Sequence, residues 1–128
     1  MKTVAFFLVL FVLAGVCAFG QGPKSSDPCA KAMTQANLND CWGRQYHAAD
    51  ATLNQVYRQL IAVLNDEEKA QLKDVESAWL KYRDANCDFV ADEYKGGTMR
   101  PMAYAVCLTD MTKSRTAELR IQIKERNR

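Results

Sequence analysis

The stretch "CDFVADEYKGGTMRPMAYAVC", residues 87–107, places a Gly-Gly pair almost midway between two cysteines. Cys87 lies nine positions before Gly96, and Cys107 lies ten positions after Gly97. Because a helix rises about 1.5 Å per residue, the two cysteines would stand about 14 and 15 Å from the turn, level with each other on two antiparallel helices. Facing positions on packed helices can supply the α-carbon separation of about 5.5 Å that a disulfide needs. The stretch therefore predicts a helical hairpin closed by a Cys87–Cys107 disulfide.

The N-terminal residues predict export of the chain. Residues 1–20, "MKTVAFFLVLFVLAGVCAFG", combine Lys2, an uncharged apolar run and small residues before Gln21, which is typical of a cleaved secretory signal peptide. The apolar run is too short for a membrane span, so we expect no stable membrane insertion after cleavage. Cys17 raises the alternative of a lipoprotein, but Val16 stands where lipoprotein signals normally have Gly, Ala or Ser.

Four cysteines remain in the predicted mature chain: Cys29, Cys41, Cys87 and Cys107. An even number in a short secreted chain indicates two disulfides. A four-thiolate zinc site is the alternative, but the sequence has no C-x-x-C pair, so we predict no metal and no cofactor. Of the three possible pairings, the hairpin leaves Cys29 with Cys41. Twelve residues of continuous helix would hold those two about 18 Å apart, so the chain must fold back before Thr34.

Apolar residues recur at steps of three and four in three segments, which indicates three amphipathic helices. The stripe of the first segment consists of Leu38, Trp42, Tyr46 (or Gln45), Ala49, Leu53, Val56, Leu60 and Leu64. The second, from about Glu67 to Tyr94, has Leu72, Val75, Trp79, Tyr82, Asn86 and Phe89. The third begins near Pro101 and has Val106, Leu108, Met111, Thr112, Leu119 and Ile123. We expect each of these stripes to face the core.

Capping residues bound the predicted helices. Thr34 is a candidate N-cap for the first helix and Asn65 or Asp66 for the second, while Gly96-Gly97 suits the left-handed end of that second helix. Short connections place helices that follow each other antiparallel. The sequence therefore predicts an all-α fold: three long antiparallel helices in an up-down-up bundle stapled by two disulfides. We divide the chain into a signal peptide (1–20), a mobile lead-in (21–33) and a helical domain (34–128).

Composition and motifs favour binding over catalysis. Without Lys2 the chain has 16 basic and 15 acidic residues, a balance that predicts no nucleic-acid surface. His47 is the only histidine, and no nucleophile is visible near it. Asp88, Asp92 and Glu93 could suggest a carboxylate pair for glycoside cleavage, but they lie beside a turn without an apolar pocket to raise a pKa. We therefore predict no catalytic residues and no enzymatic activity.

Several runs carry a resemblance to a known family. They are "ADATLNQVY" (49–57), "AWLKYRDANCDF" (78–89), "GGTMRPM" (96–102) and "CLTDMTKSRTAEL" (107–119). The chain resembles the LprI-like family of small secreted bacterial proteins, which takes its name from a lysozyme inhibitor. The resemblance implies a helical, disulfide-bonded protein of the bacterial periplasm or exterior, and it suggests inhibition of a lysozyme. The family pattern contains no catalytic residues, so none is carried over.

The bend of the hairpin is the candidate binding surface. Its residues Lys95, Gly96, Gly97, Thr98 and Arg100 would present cationic and hydroxyl donors to a protein partner. A lysozyme cleft, with its two carboxylates, is the partner that we expect. The alternative is a non-inhibitory periplasmic module that binds an envelope protein or a peptidoglycan fragment. The oligomeric state is not predicted.

Overall fold

A computed structural model describes residues 27–128 of the chain. Its three helices are α1 (Gln35–Ile61), α2 (Asp66–Ala91) and α3 (Arg100–Arg126), and a short 3-10 helix (Asp92–Tyr94) extends α2. No residue from 27 to 128 lies in a strand, so the predicted all-α fold is confirmed. No helix in this described part is long and apolar enough to cross a membrane. The predicted signal peptide and residues 21–26 of the predicted lead-in lie outside the described residues.

Side-chain caps define where the first two helices begin. The Thr34 hydroxyl accepts a hydrogen bond from the Asn37 backbone N–H at 3.1 Å, as predicted. At the start of α2, Asn65 and Glu68 form a capping box in which each side chain accepts from the other's backbone N–H, at 2.9 and 3.0 Å. Such caps satisfy donors that lack a partner within the helix. The starts of α1 and α2 are therefore encoded locally.

Small side chains let α1 approach α3 closely. Thr109, Thr112 and Thr116 of α3 are buried, and so is Ala49 of α1. The hydroxyls of Thr109 and Thr116 donate to carbonyl oxygens one turn earlier on α3, so their burial leaves no polar group unpaired. Towards the other end of the bundle the core is aliphatic, formed by Leu53, Val56, Leu60, Leu64, Leu72 and Leu119. The helices form the predicted up-down-up bundle.

Both predicted disulfides are present. Cys87 and Cys107 join α2 to α3 with their α-carbons 5.5 Å apart. Cys29 bonds to Cys41 across 5.9 Å between α-carbons, which the chain achieves by turning before Thr34. Loop closure of this kind stabilises a fold mainly by restricting the unfolded chain.

The predicted inward face of α2 is wrong at three positions. Val75, Tyr82 and Phe89 are 53%, 60% and 82% exposed. The residues that α2 buries are Leu72, Glu76, Arg83, Cys87 and Ala91, with Trp79 partly buried beside them. The helix is rotated because Cys87 must meet Cys107 on α3, and the residues one, two and three turns before Cys87 then face inward with it. Two charged side chains thus occupy positions that the apolar pattern assigned to Val75 and Tyr82.

Candidate functional site

The predicted binding residues lie together in the hairpin tip, which we define as residues 94–102. The Gly97 backbone N–H donates to the Tyr94 carbonyl at 2.9 Å, which closes the turn. Gly96 has a φ of 79°, a left-handed backbone conformation that residues other than glycine adopt only rarely. The Cys87–Cys107 disulfide joins the two helices behind this turn. The tip is therefore a bend whose two arms are covalently linked.

Arg100 is held by two carboxylates of the same hairpin. Its Nη2 atom lies 3.0 Å from Asp88 Oδ1 and 2.8 Å from Asp92 Oδ1, and its Nε donates to Asp92 Oδ1 at 3.0 Å. These hydrogen bonds to Asp92 and Asp88 raise the pKa of Arg100 above its ordinary value. The guanidinium charge is thus met within the chain, where it ties the start of α3 to the end of α2.

The start of α1 supports the tip from a third side. Asn39 Nδ2 donates to the Thr98 carbonyl oxygen at 3.1 Å. One turn away, Gln35 Nε2 lies 3.7 Å from Met102 Sδ. These contacts join residues about 60 positions apart in the chain, which no local sequence pattern indicates. The tip is consequently fixed against all three helices.

Several side chains of the tip remain exposed despite these restraints. The Lys95 side chain is 79% exposed, and its Nζ approaches Asp92 only at 3.9 Å. Tyr94 and Met99 are also exposed, and sequence reasoning did not include them in the candidate surface. Their signal was present in the sequence, since both are large apolar residues flanking the glycines. The tip therefore presents a cation and apolar surface on a stiff support.

A buried polar centre lies between the helices, away from the tip. Trp79 is flanked by two guanidinium groups, Arg83 at 5.3 Å and Arg115 at 5.7 Å from the ring centroid. Such stacking is favourable because the face of an aromatic ring carries partial negative charge. Because Trp79 lies on α2 and Arg115 on α3, the second of these contacts joins the two helices.

Arg83 is the most connected residue of this centre. Its guanidinium donates to Asp84 at 2.8 Å, to Thr112 Oγ1 at 3.2 Å and to the Tyr46 hydroxyl oxygen at 3.2 Å. It also lies 3.4 Å from Asp50 of α1. Burial lowers the pKa of Arg83, but the hydrogen bonds to Asp84 and Asp50 and the nearby charges outweigh burial and raise it. Arg83 and the adjacent Asp84 thus form an ion pair beside the helix interface.

Arg115 forms a second ion pair with a buried carboxylate. Its Nε and Nη2 donate to Glu76 Oε2 at 3.0 and 2.9 Å, and its Nη1 donates to Glu118 at 2.9 Å. Burial lowers the pKa of Arg115, whereas the hydrogen bonds to Glu118 and Glu76 raise it by more. The second oxygen of Glu76, Oε1, is buried and has no hydrogen-bond partner among the described residues. The Arg115–Glu76 pair thus connects α3 to α2.

A groove of about 400 Å³ runs beside this centre between α1 and α2. Tyr46, Asp50, Tyr57, Lys73, Glu76 and Arg83 are among the residues that line it. His47 is exposed next to it on α1, stacked obliquely on Tyr46 at 5.5 Å. Within residues 27–128, no group of three His, Cys, Asp or Glu side chains could hold a metal ion.

Comparison with known proteins identifies the family. The family described as "Lysozyme inhibitor LprI" matches residues 25–119. The chain belongs to the LprI family. The matched range contains both disulfides and the whole hairpin tip.

One relative of this LprI chain is similar over nearly its full length. It is the uncharacterized protein R02472 of Rhizobium meliloti (strain 1021), which is 35% identical over 133 residues covering 94% of each chain. No solved structure gave a significant match. The comparisons therefore establish membership of a family named for lysozyme inhibition, and they name no catalytic activity.

Proposed function

We propose that this LprI-family chain is an exported protein that inhibits a lysozyme or related muramidase by placing its hairpin tip against the enzyme. The family name supports the target. The predicted signal peptide and the two disulfides support export, because disulfides persist in oxidising compartments such as the periplasm. The single observation that carries the choice of surface is the combination of restraint and exposure at the tip.

Restraint matters because a loop that is already ordered loses less conformational entropy when it binds a partner. The tip is restrained by the Cys87–Cys107 disulfide, by Arg100 on two carboxylates and by Asn39 on the Thr98 carbonyl. A bend of this kind can enter a cleft without losing much conformational freedom. Arg100 is also a residue of the proposed surface. Because its guanidinium is already bound to Asp88 and Asp92, we assign it mainly to holding the tip in shape.

Direct contact with the enzyme falls to the exposed groups. Lys95 and the Thr98 hydroxyl would donate to carboxylates in a lysozyme cleft, and charge-assisted bonds of this type are among the stronger ones. Tyr94 and Met99 would supply apolar contact beside them. In this proposal the protein acts by occupying the cleft and performs no chemistry itself.

The test is titration of the mature chain, beginning at Gln21, into a muramidase assay on cell-wall substrate. We expect inhibition by the wild type, and we expect Lys95→Glu to raise the half-inhibitory concentration by about tenfold or more. Lys124→Glu is the matched control, since Lys124 is an exposed lysine near the opposite end of the bundle. Its inhibition should equal that of the wild type.

Three results would contradict the proposal at different points. No inhibition at micromolar protein removes the function and leaves the non-inhibitory envelope module as the better reading. Inhibition that Lys95→Glu leaves unchanged removes the tip as the contact surface. Release of sugar from cell-wall material by the purified protein removes the non-enzymatic mechanism.

A further inference from the structure

The outer flank of α2 carries an apolar row that the bundle does not use. Val75, Tyr82 and Phe89 repeat at seven-residue intervals, and all three are exposed. Seven residues are nearly two helical turns, so the three side chains line up along one side of α2. Large apolar side chains in a continuous exposed row mark an interaction surface more often than a solvated face.

Small residues complete the row. Ala78 and Ala85 lie three residues after Val75 and Tyr82, and both are exposed. Apolar residues at alternating steps of three and four form the seam through which two helices pack side by side. Alanine at every second seam position leaves room for a large side chain from a facing helix. We call Val75, Ala78, Tyr82, Ala85 and Phe89 the α2 seam.

We propose that the α2 seam is the dimerisation surface of this protein and that the seam of a second copy covers it, with the two α2 helices antiparallel. The chain supplies a suitable occupant, since each tyrosine or phenylalanine of one seam can pack on an alanine of the other. In one register Tyr82 faces Ala85 of the second copy while Phe89 faces its Ala78. This proposal is independent of the proposed inhibition.

Charges along one edge of the seam decide the orientation. Asp74, Lys81 and Asp88 precede the three large seam residues by one position each, giving alternating charges along this edge. In an antiparallel pair these edges meet, and the register that stacks aromatic residues on alanines sets Lys81 against Asp88 of the second copy twice. A parallel pair would instead set Asp88 against Glu93 of the second copy. Flanking charges select orientation in paired helices in this way.

The local surroundings are compatible with these pairs. Asp88 accepts from Arg100 through Oδ1 and its side chain is 59% exposed, so it is accessible to Lys81 of the second copy. Tyr82 also lines an open groove of about 420 Å³ between α2 and α3, together with Met111 and Ser114. The seam spans about 21 Å of helix, which is short for a permanent interface, so we expect a weak and reversible dimer.

Sedimentation of the oxidised mature chain over a concentration series tests the proposal. The wild type should move from monomer mass towards dimer mass as the concentration approaches millimolar. Tyr82→Asp should remain monomeric over the same range, because it places a charge in the centre of the seam. Ile121→Asp is the matched control, an exposed apolar residue of α3 outside the seam, and it should dimerise as the wild type does. A wild type that stays monomeric throughout overturns the proposal.

Charge reversal provides the decisive experiment. Lys81→Asp sets aspartate against aspartate at both edge contacts, and Asp88→Lys sets lysine against lysine there, so each variant alone should dimerise at least tenfold more weakly than the wild type. An equimolar mixture of the two variants should form a heterodimer, because every edge contact is then between opposite charges. Circular dichroism and the muramidase assay on each variant check folding and tip function separately. A mixture that remains monomeric although both variants are folded overturns the proposal. The proposal is also overturned if Tyr82→Asp loses inhibition while its mass in sedimentation equals that of the wild type, because the seam would then contact the lysozyme.

Discussion

Replacing Glu76 with glutamine tests the ion pairs at the centre of the bundle. Glu76 and Arg115 pair at 2.9 Å with side chains only 11% and 10% exposed. Removing one partner of a buried pair leaves the other charge uncompensated and costs about 3–5 kcal/mol. Since Arg115 keeps Glu118 as a second acceptor, we expect Glu76→Gln to lower the free energy of unfolding by about 3 kcal/mol, at the low end of that range.

Glu118 provides the matched control on the same arginine. Its side chain is 58% exposed, although it accepts from Arg115 at the same distance of 2.9 Å. Exposed ion pairs contribute about 0.2–1 kcal/mol, and here water solvates the exposed Glu118 carboxylate whether or not Arg115 donates to it. Glu118→Gln should therefore cost less than about 1 kcal/mol.

A double variant separates the net contribution of the ion pair to stability from the free-energy cost of leaving one buried charge unpaired. In Glu76→Leu/Arg115→Met both charges and the unpartnered Oε1 atom are removed together. Apolar replacements of buried pairs are often neutral or stabilising, so the double variant should lie close to the wild type despite the loss of stacking on Trp79. Of the four variants, Glu76→Leu alone should be the least stable.

The measurement is urea unfolding followed by far-ultraviolet circular dichroism, with both disulfides oxidised. The slope of free energy against urea should be the same for all variants, which shows that the same surface is exposed on unfolding. Equal costs for Glu76→Gln and Glu118→Gln would show that burial does not govern this pair and would refute the reasoning.

Three further predictions concern the disulfide, a tyrosine and a cap. The Cys87→Ser/Cys107→Ser variant should lose about 3 kcal/mol of stability in urea unfolding, from the closure of a 20-residue loop, and should inhibit less well if the staple orders the tip. Burial raises the pKa of Tyr46 above its ordinary 10.0, so the unfolded state releases that proton first. Stability should then fall as the pH rises above about 10, and less steeply in Tyr46→Phe; equal slopes in the two proteins would exclude this tyrosine as the cause. Asn65→Ala should cost about 1 kcal/mol in thermal or urea unfolding by removing the capping box, and an unchanged midpoint would mean that the cap contributes nothing.

The features that the sequence predicted correctly are those encoded by neighbouring residues or by covalent chemistry. Thr34 and Asn65 cap helices through atoms three residues away, so their role is visible in the chain itself. The Gly96 turn and the Cys87–Cys107 pairing follow from spacing, because helix rise fixes which positions stand level. The family resemblance, too, rests on short runs of residues and was confirmed by the match over residues 25–119.

The role of the five tip residues as a binding surface stays a prediction. The sequence could not show that one of them, Arg100, is already engaged by Asp88 and Asp92. Nor could it show the contact between Asn39 and Thr98, which depends on how α1 lies against the hairpin. Such contacts arise between residues far apart in the chain.

The sequence alone determined three helices, their ends and their disulfide links, because those depend on local hydrogen bonds and helix geometry. Only the tertiary structure decided which side of α2 faces inward. The apolar pattern favours Val75 and Tyr82, but a buried charge is tolerated when partners from other helices meet it, as Arg115 meets Glu76 across 39 positions of sequence. Whether such partners arrive is a property of the packed bundle, and here their arrival leaves the apolar row of α2 on the surface.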